Sequence, residues 1–189
     1  MATASFLPTP LSESAVGAFR ARLRGELLDP RHAGYHDARR VFNAMIDKHP
    51  ALIVRPADVE DIRCAVLFAR QQGLPLSIKG GGHSIAGSAV CEGGLMLDLS
   101  SLKTILVAAD KQIAVADPGL LLADLDRATQ AVGLATPLGV VSVTGISGLT
   151  LGGGIGWLSG KYGLACDNVL AVEVALGQGG TSPLWRGRQ

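Results

Sequence analysis

Apolar and polar positions change their period along the chain, and each change marks an element. "LSESAVGAFRARLRGELL", residues 11–28, places apolar residues at helical spacing. Ser12 or Ser14 serves as its N-cap, and Arg20, Arg22 and Arg24 take the wet face. The proline-broken residues 1–10 ahead of it are expected to be disordered. "ALIVRP" predicts a short strand stopped by Pro56. "ADVEDIRCAVLFARQQG" predicts an amphipathic helix, with acids in the first turn to complement the helix dipole and Gly73 as its stop. "LPLSIK" is a second strand that runs directly into three glycines. Strand, helix, strand in this order is a βαβ unit. It delivers Gly80, Gly81, Gly82 and His83 to the carboxyl end of a parallel strand, where ligands bind in open α/β sheets.

Three short apolar runs follow, "LMLDLS", "TILVAA" and "QIAVADPG", with little chain between them, and these predict antiparallel strands. "LLADLDRATQAVG" predicts a helix ended by Gly133. A glycine-rich turn, "TGISGLTLGGGIGWLSGKYGLACDN", leads to a strand "VLAVEVAL", and the final "GQGGTSPLWRGRQ" shows no strand pattern. The expected fold class is therefore α+β, a small parallel βαβ corner plus an antiparallel sheet with flanking helices. The glycine loops converge between the two parts as a cofactor cleft. Residues 1–45 read as an N-terminal extension with one helix, 46–180 as the domain, and 181–189 as an irregular tail.

Composition narrows the partners. Hydrophobic residues make up 48% of 189 and charged residues 17%, the balance of a folded chain with a buried core. A net charge of +1 without any basic run argues against nucleic acid, and 4% aromatic residues leave no platform for stacking bases. Cys64, Cys91 and Cys166 form neither a CxxC pair nor a Cys/His ligand set, so no disulfide framework and no metal site is expected. The N-terminus lacks the basic and apolar regions of a signal peptide, and no stretch has membrane-spanning length without glycine or charge. A soluble cytoplasmic protein is the expectation. The anomaly is the 25 glycines, clustered at 80–94, 145–163 and 177–187.

Glycine in an element interior costs stability, so a run of three before a histidine implies a backbone passing close to something. A phosphate-bearing cofactor is the simplest candidate. A Walker loop does not fit: Gly82 to Gly87 has the spacing, but Ser88 and Ala89 stand where Lys and Ser/Thr are required. Gly156 to Gly160 precedes Lys161 but is one residue short, and no GxGxxG threads either run. "GHSIA" approaches a nucleophile elbow, yet no histidine follows Ser84 in the chain. What fits is a nest of backbone N–H groups, which binds anions without a lysine. Such a loop suits a pyrophosphate and leaves His83 for chemistry at the far part of the cofactor. The alternative is a structural histidine capping the loop. His32, His36 and His49 lie outside every motif and read as surface residues.

"LSIKGGGHSIAGSAVCEGGLMLDLS", "VADPGLLLADLDRAT" and "GLTLGGGIGWLSGKYGLACDNVLAVEV" together resemble the successive signatures of FAD-linked oxidases. The resemblance is to the berberine-bridge-enzyme-like branch of the p-cresol methylhydroxylase and vanillyl-alcohol oxidase group, and it runs from about Ala51 to Val174. It implies a PCMH-type FAD-binding domain over 46–180, with the diphosphate held by Gly80, Gly81, Gly82, Ser84 and Gly87. Further cofactor contacts are implied at Lys79, Pro118, Gly119, Val141, Ser142, Thr144, Gly145, Gly148, Gly152, Gly154, Gly156 and Val172. It also implies one covalent link, from His83 to the 8α-methyl carbon of the flavin, for which a neutral imidazole is the nucleophile.

The chain departs from the family at several points. Where some relatives carry a second link through cysteine, this chain has Val141, and Cys166 reads as a buried structural thiol. Lys79 stands where arginine commonly precedes the glycines, a cation without the bidentate fork. Thr144 occupies a position that influences oxygen access, and its size suits oxygen as electron acceptor. The family's substrate domain, which carries the catalytic base, is expected to be absent, so no catalytic residue is assigned. Two functions remain open at this point. One is an oxidoreductase that takes hydride from an alcohol-type carbon of a small molecule onto flavin N5. The other is a non-catalytic flavin-binding fragment, with self-association through an exposed apolar cofactor face.

Overall fold

The computed structural model describes residues 11–178 and 180–183, so the disorder expected for residues 1–10 lies outside the described residues. Its centre is a four-stranded sheet in the order β1–β2–β4–β3. The strands are β1 (Glu26–Leu28), β2 (Leu52–Arg55), β3 (Leu76–Lys79) and β4 (Leu95–Asp98). β4 runs parallel to both β2 and β3, and β1 closes the far edge antiparallel to β2.

This places "LMLDLS" in the middle of the parallel sheet and corrects the antiparallel expectation for it. All four residues of β4 are buried. A strand covered on both faces carries a continuous apolar run rather than alternation, as parallel strands do. The connection over residues 80–94 has the dozen or more residues that a parallel crossover needs.

Alternate residues of the central strands feed two cores. Leu52, Val54, Leu95 and Leu97 face α3 (Val59–Gln71) through Ala65, Phe68 and Ala69. Ile53 and Met96 face the other way, onto Leu28, Tyr35, Ala38 and Val90. α3 begins where Asp58 accepts from the Asp61 N–H at 3.0 Å, and it stops before Gly73, which takes φ +63°.

The helix predicted over 11–28 is shorter than its spacing suggests. α1 (Glu13–Arg20) is capped by Ser12, whose hydroxyl accepts from the Ala15 N–H, and it packs Phe19 flat on Phe68 with ring centroids 4.0 Å apart. Beyond it the buried Asp61 carboxylate accepts from the backbone N–H groups of Arg24, Gly25 and Ala57 at 2.8–2.9 Å. A carboxylate that draws two consecutive N–H groups out of line ends the helix, and residues 26–28 become strand β1. Residues 11–45 thus contribute β1, Phe19 and the short α2 (Tyr35–Ala38) to the same two cores. Tyr35 is buried with its hydroxyl donating to the Pro50 carbonyl at 2.6 Å, and burial raises its pKa.

β5 (Ile105–Ala108) and β6 (Ile113–Ala116) form the expected antiparallel hairpin. Together with α4 (Leu122–Gln130) they enclose a third core of Leu120, Leu122, Leu125, Leu138 and Ile146. The glycine-rich turn contains two short helices, α5 (Ile146–Leu151) and α6 (Ser159–Tyr162). The strand read across "VLAVEVAL" shrinks to β7 (Glu173–Ala175). It pairs antiparallel with β8 (Thr181–Pro183), a strand where no strand pattern is visible in the sequence. The rest of the tail, 184–189, lies outside the described residues.

Replacing Asp61 by alanine strands three backbone donors at once. The expected loss of unfolding free energy is about 3 kcal/mol, read from the urea midpoint, with Asp61→Asn losing less because one acceptor oxygen survives.

Candidate cofactor site

The carboxyl ends of β2, β3 and β4 carry Arg55, Lys79 and Asp98 side by side. The buried Asp98 carboxylate lies 3.2 Å from Arg55 Nε and 4.0 Å from Lys79 Nζ, and Arg55 also reaches Glu26 at 3.4 Å. Lys79 Nζ donates to the Ala38 carbonyl at 2.7 Å. Burial lowers the Lys79 pKa, with the Arg55 cation adding to this and Asp98 opposing it. The lysine that replaces the expected arginine therefore turns its charge toward the protein.

Above this row the glycine loops meet. A Cβ on Gly81 would fall on the backbone nitrogen of Gly145, and a Cβ on Gly145 would fall on that of Gly81. At Gly80 it would press on Ser147 Oγ at 2.8 Å, and that hydroxyl donates to the Pro118 carbonyl at 3.0 Å. At Gly119 it would overlap the Leu99 carbonyl. The Gly145 turn is in turn stitched to the start of α4, with Leu122 N–H donating to Thr144 and Ala123 N–H to Ser142, at 2.9 and 3.0 Å. Thr144 N–H closes the turn onto Val141. The close approach that Gly81 demands is thus to a second glycine loop, at Gly145.

Residues 42–48 strap the loop that follows. Phe42 N–H donates to Gly82 at 3.0 Å, the Asn43 amide to Ile85 at 2.8 Å, and Lys48 Nζ to Gly87 at 3.2 Å. Gly82 and Gly87 adopt φ +72° and +73°, conformations that favour glycine. The Ser84 hydroxyl is engaged within the loop by Ser88 N–H at 3.1 Å. The half-buried His83 ring lies against the Phe42 ring, centroids 4.4 Å apart and planes 16° from parallel. Among the described residues neither imidazole nitrogen forms a hydrogen bond.

These parts surround a cavity of about 390 Å³. Of the residues expected from the sequence, Lys79, Gly80, Gly81, His83 and Gly119 line it, while Gly145 and Pro118 lie directly behind the wall. Val141, Ser142 and Thr144 build the adjoining turn, whose Val143 faces the cavity. Gly152 ends α5. Gly154 and Gly156 pack against Ala165 and the Leu138 carbonyl, and a Cβ at Gly148 would meet open space. Val172 is half-buried just ahead of β7, and the structure does not bring it to the cavity wall.

Arg40, Phe42, Ser100, Lys103 and Leu121 also line the cavity and were not expected. Phe42 sits in a stretch without periodicity, and the local signal is a lone aromatic between Val41 and Asn43. A larger cleft of about 670 Å³ lies at the opposite, amino ends of the strands, between α1 and Leu74, and neither His83 nor Gly80–Gly82 lines it. His32, His36 and His49 are exposed. Cys166 is only half-buried, with its thiol 3.8 Å from the Asp167 carboxylate, so the expected buried thiol is corrected. Among the described residues no His, Cys, Asp and Glu cluster is placed to hold a metal, and no helix is long and apolar enough to cross a membrane.

A glycine-walled cavity at the carboxyl end of a mixed sheet, rimmed by Arg40 and Lys103, has the charge and main-chain lining that suit an anionic cofactor. The family described as FAD binding domain matches residues 50–182. An FAD-linked oxidoreductase from Bacillus subtilis is 34% identical over 155 residues, covering 82% of this chain and 34% of the relative. The crystal structure of 6-hydroxy-D-nicotine oxidase from Arthrobacter nicotinovorans superposes with a TM-score of 0.84 at 31% identity, covering 94% of this chain and 37% of that one. BBE-like 1 of Physcomitrella patens gives 0.85 at 29% identity, over 89% and 37%. The chain belongs to this FAD-binding-domain family, in the branch of FAD-linked oxidoreductases resembling berberine-bridge enzyme. It spans about a third of the length of these relatives.

The loop contact makes a prediction that needs no cofactor. Gly81→Ala should destabilise the apoprotein by about 2 kcal/mol, because backbone must shift to admit the methyl group. Gly148→Ala, inside α5 and facing open space, should be neutral or slightly stabilising in the same thermal melts.

Proposed function

We propose that the 390 Å³ cavity seats part of FAD, with its diphosphate on the backbone of the Gly80–Gly82 loop, through Ser84 and Gly87, and the flavin within reach of His83. The cations Arg40 and Lys103 at the rim suit a doubly charged diphosphate, and the glycine walls admit close approach to main-chain N–H groups. The other expected contacts, from Pro118 and Gly119 through Val141–Gly145 to Gly148, Gly152, Gly154, Gly156 and Val172, would take the remainder of the cofactor.

His83 carries this reading. Its imidazole faces a cavity with both nitrogens uncommitted, which suits a nucleophile better than a loop cap. In the attachment one C–N bond forms between the imidazole and the flavin 8α-carbon, while one C–H and one N–H bond break. The two electrons and two protons released would be taken up by dioxygen as hydrogen peroxide, with FAD supplying the electron acceptor when bound. Val141 and Cys166 offer no second link.

Bound FAD supplies a two-electron acceptor. The reaction proposed for an enzyme built on this domain is hydride transfer from an alcohol-type carbon of a small molecule to flavin N5, with oxygen as the final acceptor. The cavity wall contributes no aspartate, glutamate or tyrosine. That supports a second reading of the 189-residue chain, as the part that binds and attaches flavin while a proton acceptor for substrate comes from elsewhere. Leu151, Ile155 and Trp157 are exposed in this chain and favour association between its copies.

The test is an absorbance spectrum before and after acid precipitation, with the mass of the intact chain. A yellow pellet and one flavin mass increment are expected, both lost in His83→Ala and both kept in Cys166→Ala. Retention of the increment in His83→Ala would overturn the assignment. A colourless protein that cannot be reconstituted with FAD would overturn the binding reading as well.

A further inference from the structure

We infer that Phe42 is a positioning residue for His83, holding the imidazole plane for bond formation with the flavin; this rests on the attachment proposed above. The two rings are nearly parallel, 16° apart, with centroids at 4.4 Å. That stack orients the imidazole without a hydrogen bond to either nitrogen among the described residues. Phe42 is not there to fill a core: the residue is 63% exposed, and it stands at the rim of the same cavity. Its own place is fixed by the main chain, through the 3.0 Å bond from Phe42 N–H to Gly82, the residue preceding His83. Val41 lies alongside Gly82 as well.

The chemistry favours this kind of support. The nucleophilic lone pair of a neutral imidazole lies in the ring plane, on the unprotonated nitrogen. A hydrogen bond donated to that nitrogen would occupy the pair that has to attack. A ring laid on the π face limits rotation and leaves both nitrogens open at the edge. Alignment of reacting groups is where such a contact acts, so it should alter the rate of attachment and leave the affinity for FAD alone.

The experiment uses the 189-residue chain, prepared without flavin and then mixed with FAD. Acid-stable flavin is followed over time, and initial binding is measured by the quenching of flavin fluorescence. A carbon-detected proton spectrum of the histidine rings, taken before FAD is added, reports the stack directly through the upfield ring-current shift of His83. Phe42→Leu should lose that shift and attach FAD roughly three- to tenfold more slowly, the range a single aromatic stack supports, with initial binding unchanged. Phe42→Tyr should restore both the shift and the rate. Attachment by Phe42→Leu at the wild-type rate overturns the inference, as does an equal loss of rate and of FAD affinity. If the wild-type chain binds FAD but leaves all of it extractable by acid, the attachment reading itself falls and the role of Phe42 falls with it.

Discussion

The contact between Gly81 and Gly145 is the constraint on which the site depends. Two backbones cross with no side chain between them, so the end of β3 and the turn before α5 share one wall. Ser147, Pro118 and Gly119 extend the same contact to the turn ahead of α4. Three segments far apart in sequence become one surface made mostly of main chain. Main chain is what an anion nest consists of, so the crossing that joins the loops also builds the kind of wall that the proposed diphosphate seat requires. Gly81, Gly119, Gly145 and Gly156 have no room for a methyl group against neighbouring backbone, and Gly82 and Gly87 adopt positive φ.

Electrostatics at the strand ends follow a different logic from the one suggested by a lysine beside a phosphate loop. Asp98 is buried between Arg55 and Lys79, and the lysine ammonium spends a hydrogen bond on the Ala38 carbonyl. An unpartnered carboxylate there would be costly, so the two cations serve first to neutralise it. The charge that faces the cavity comes from Arg40 and Lys103, tethered to the exposed Asp37 at 3.2 Å and the half-buried Asp124 at 3.6 Å. Those pairs are loose enough to exchange partners when an anion arrives.

Much of this architecture was readable before any coordinates. The helix α3 announces itself through acids at one end and Gly73 at the other, and the glycine run directly after "LPLSIK" placed the loop correctly at a strand end. The elements that escaped are those decided by distant residues. "GELL" continues a helical spacing until the Asp61 carboxylate, 36 residues away, captures Gly25 and turns the segment into a sheet edge. "LMLDLS" looks like any short strand, and only its burial on both faces sets it parallel. Of the site, the histidine and the glycines were visible. Phe42 was not, because a stack across 41 positions leaves no period in the chain.

The strand order carries a consequence for how the chain is made. β4 is last of the four in sequence and lies between β2 and β3. While a ribosome is still releasing the loop over residues 80–94, β2 and β3 have no parallel neighbour and cannot pair through the gap reserved for the strand to come. Two apolar edges stay open until Asp98 has left the exit tunnel, and the whole parallel sheet then closes in one insertion. Interruption of synthesis inside the glycine loop would release a chain with only the β1–β2 pair available, whereas a stop shortly after β4 would leave all four strands of the layer present.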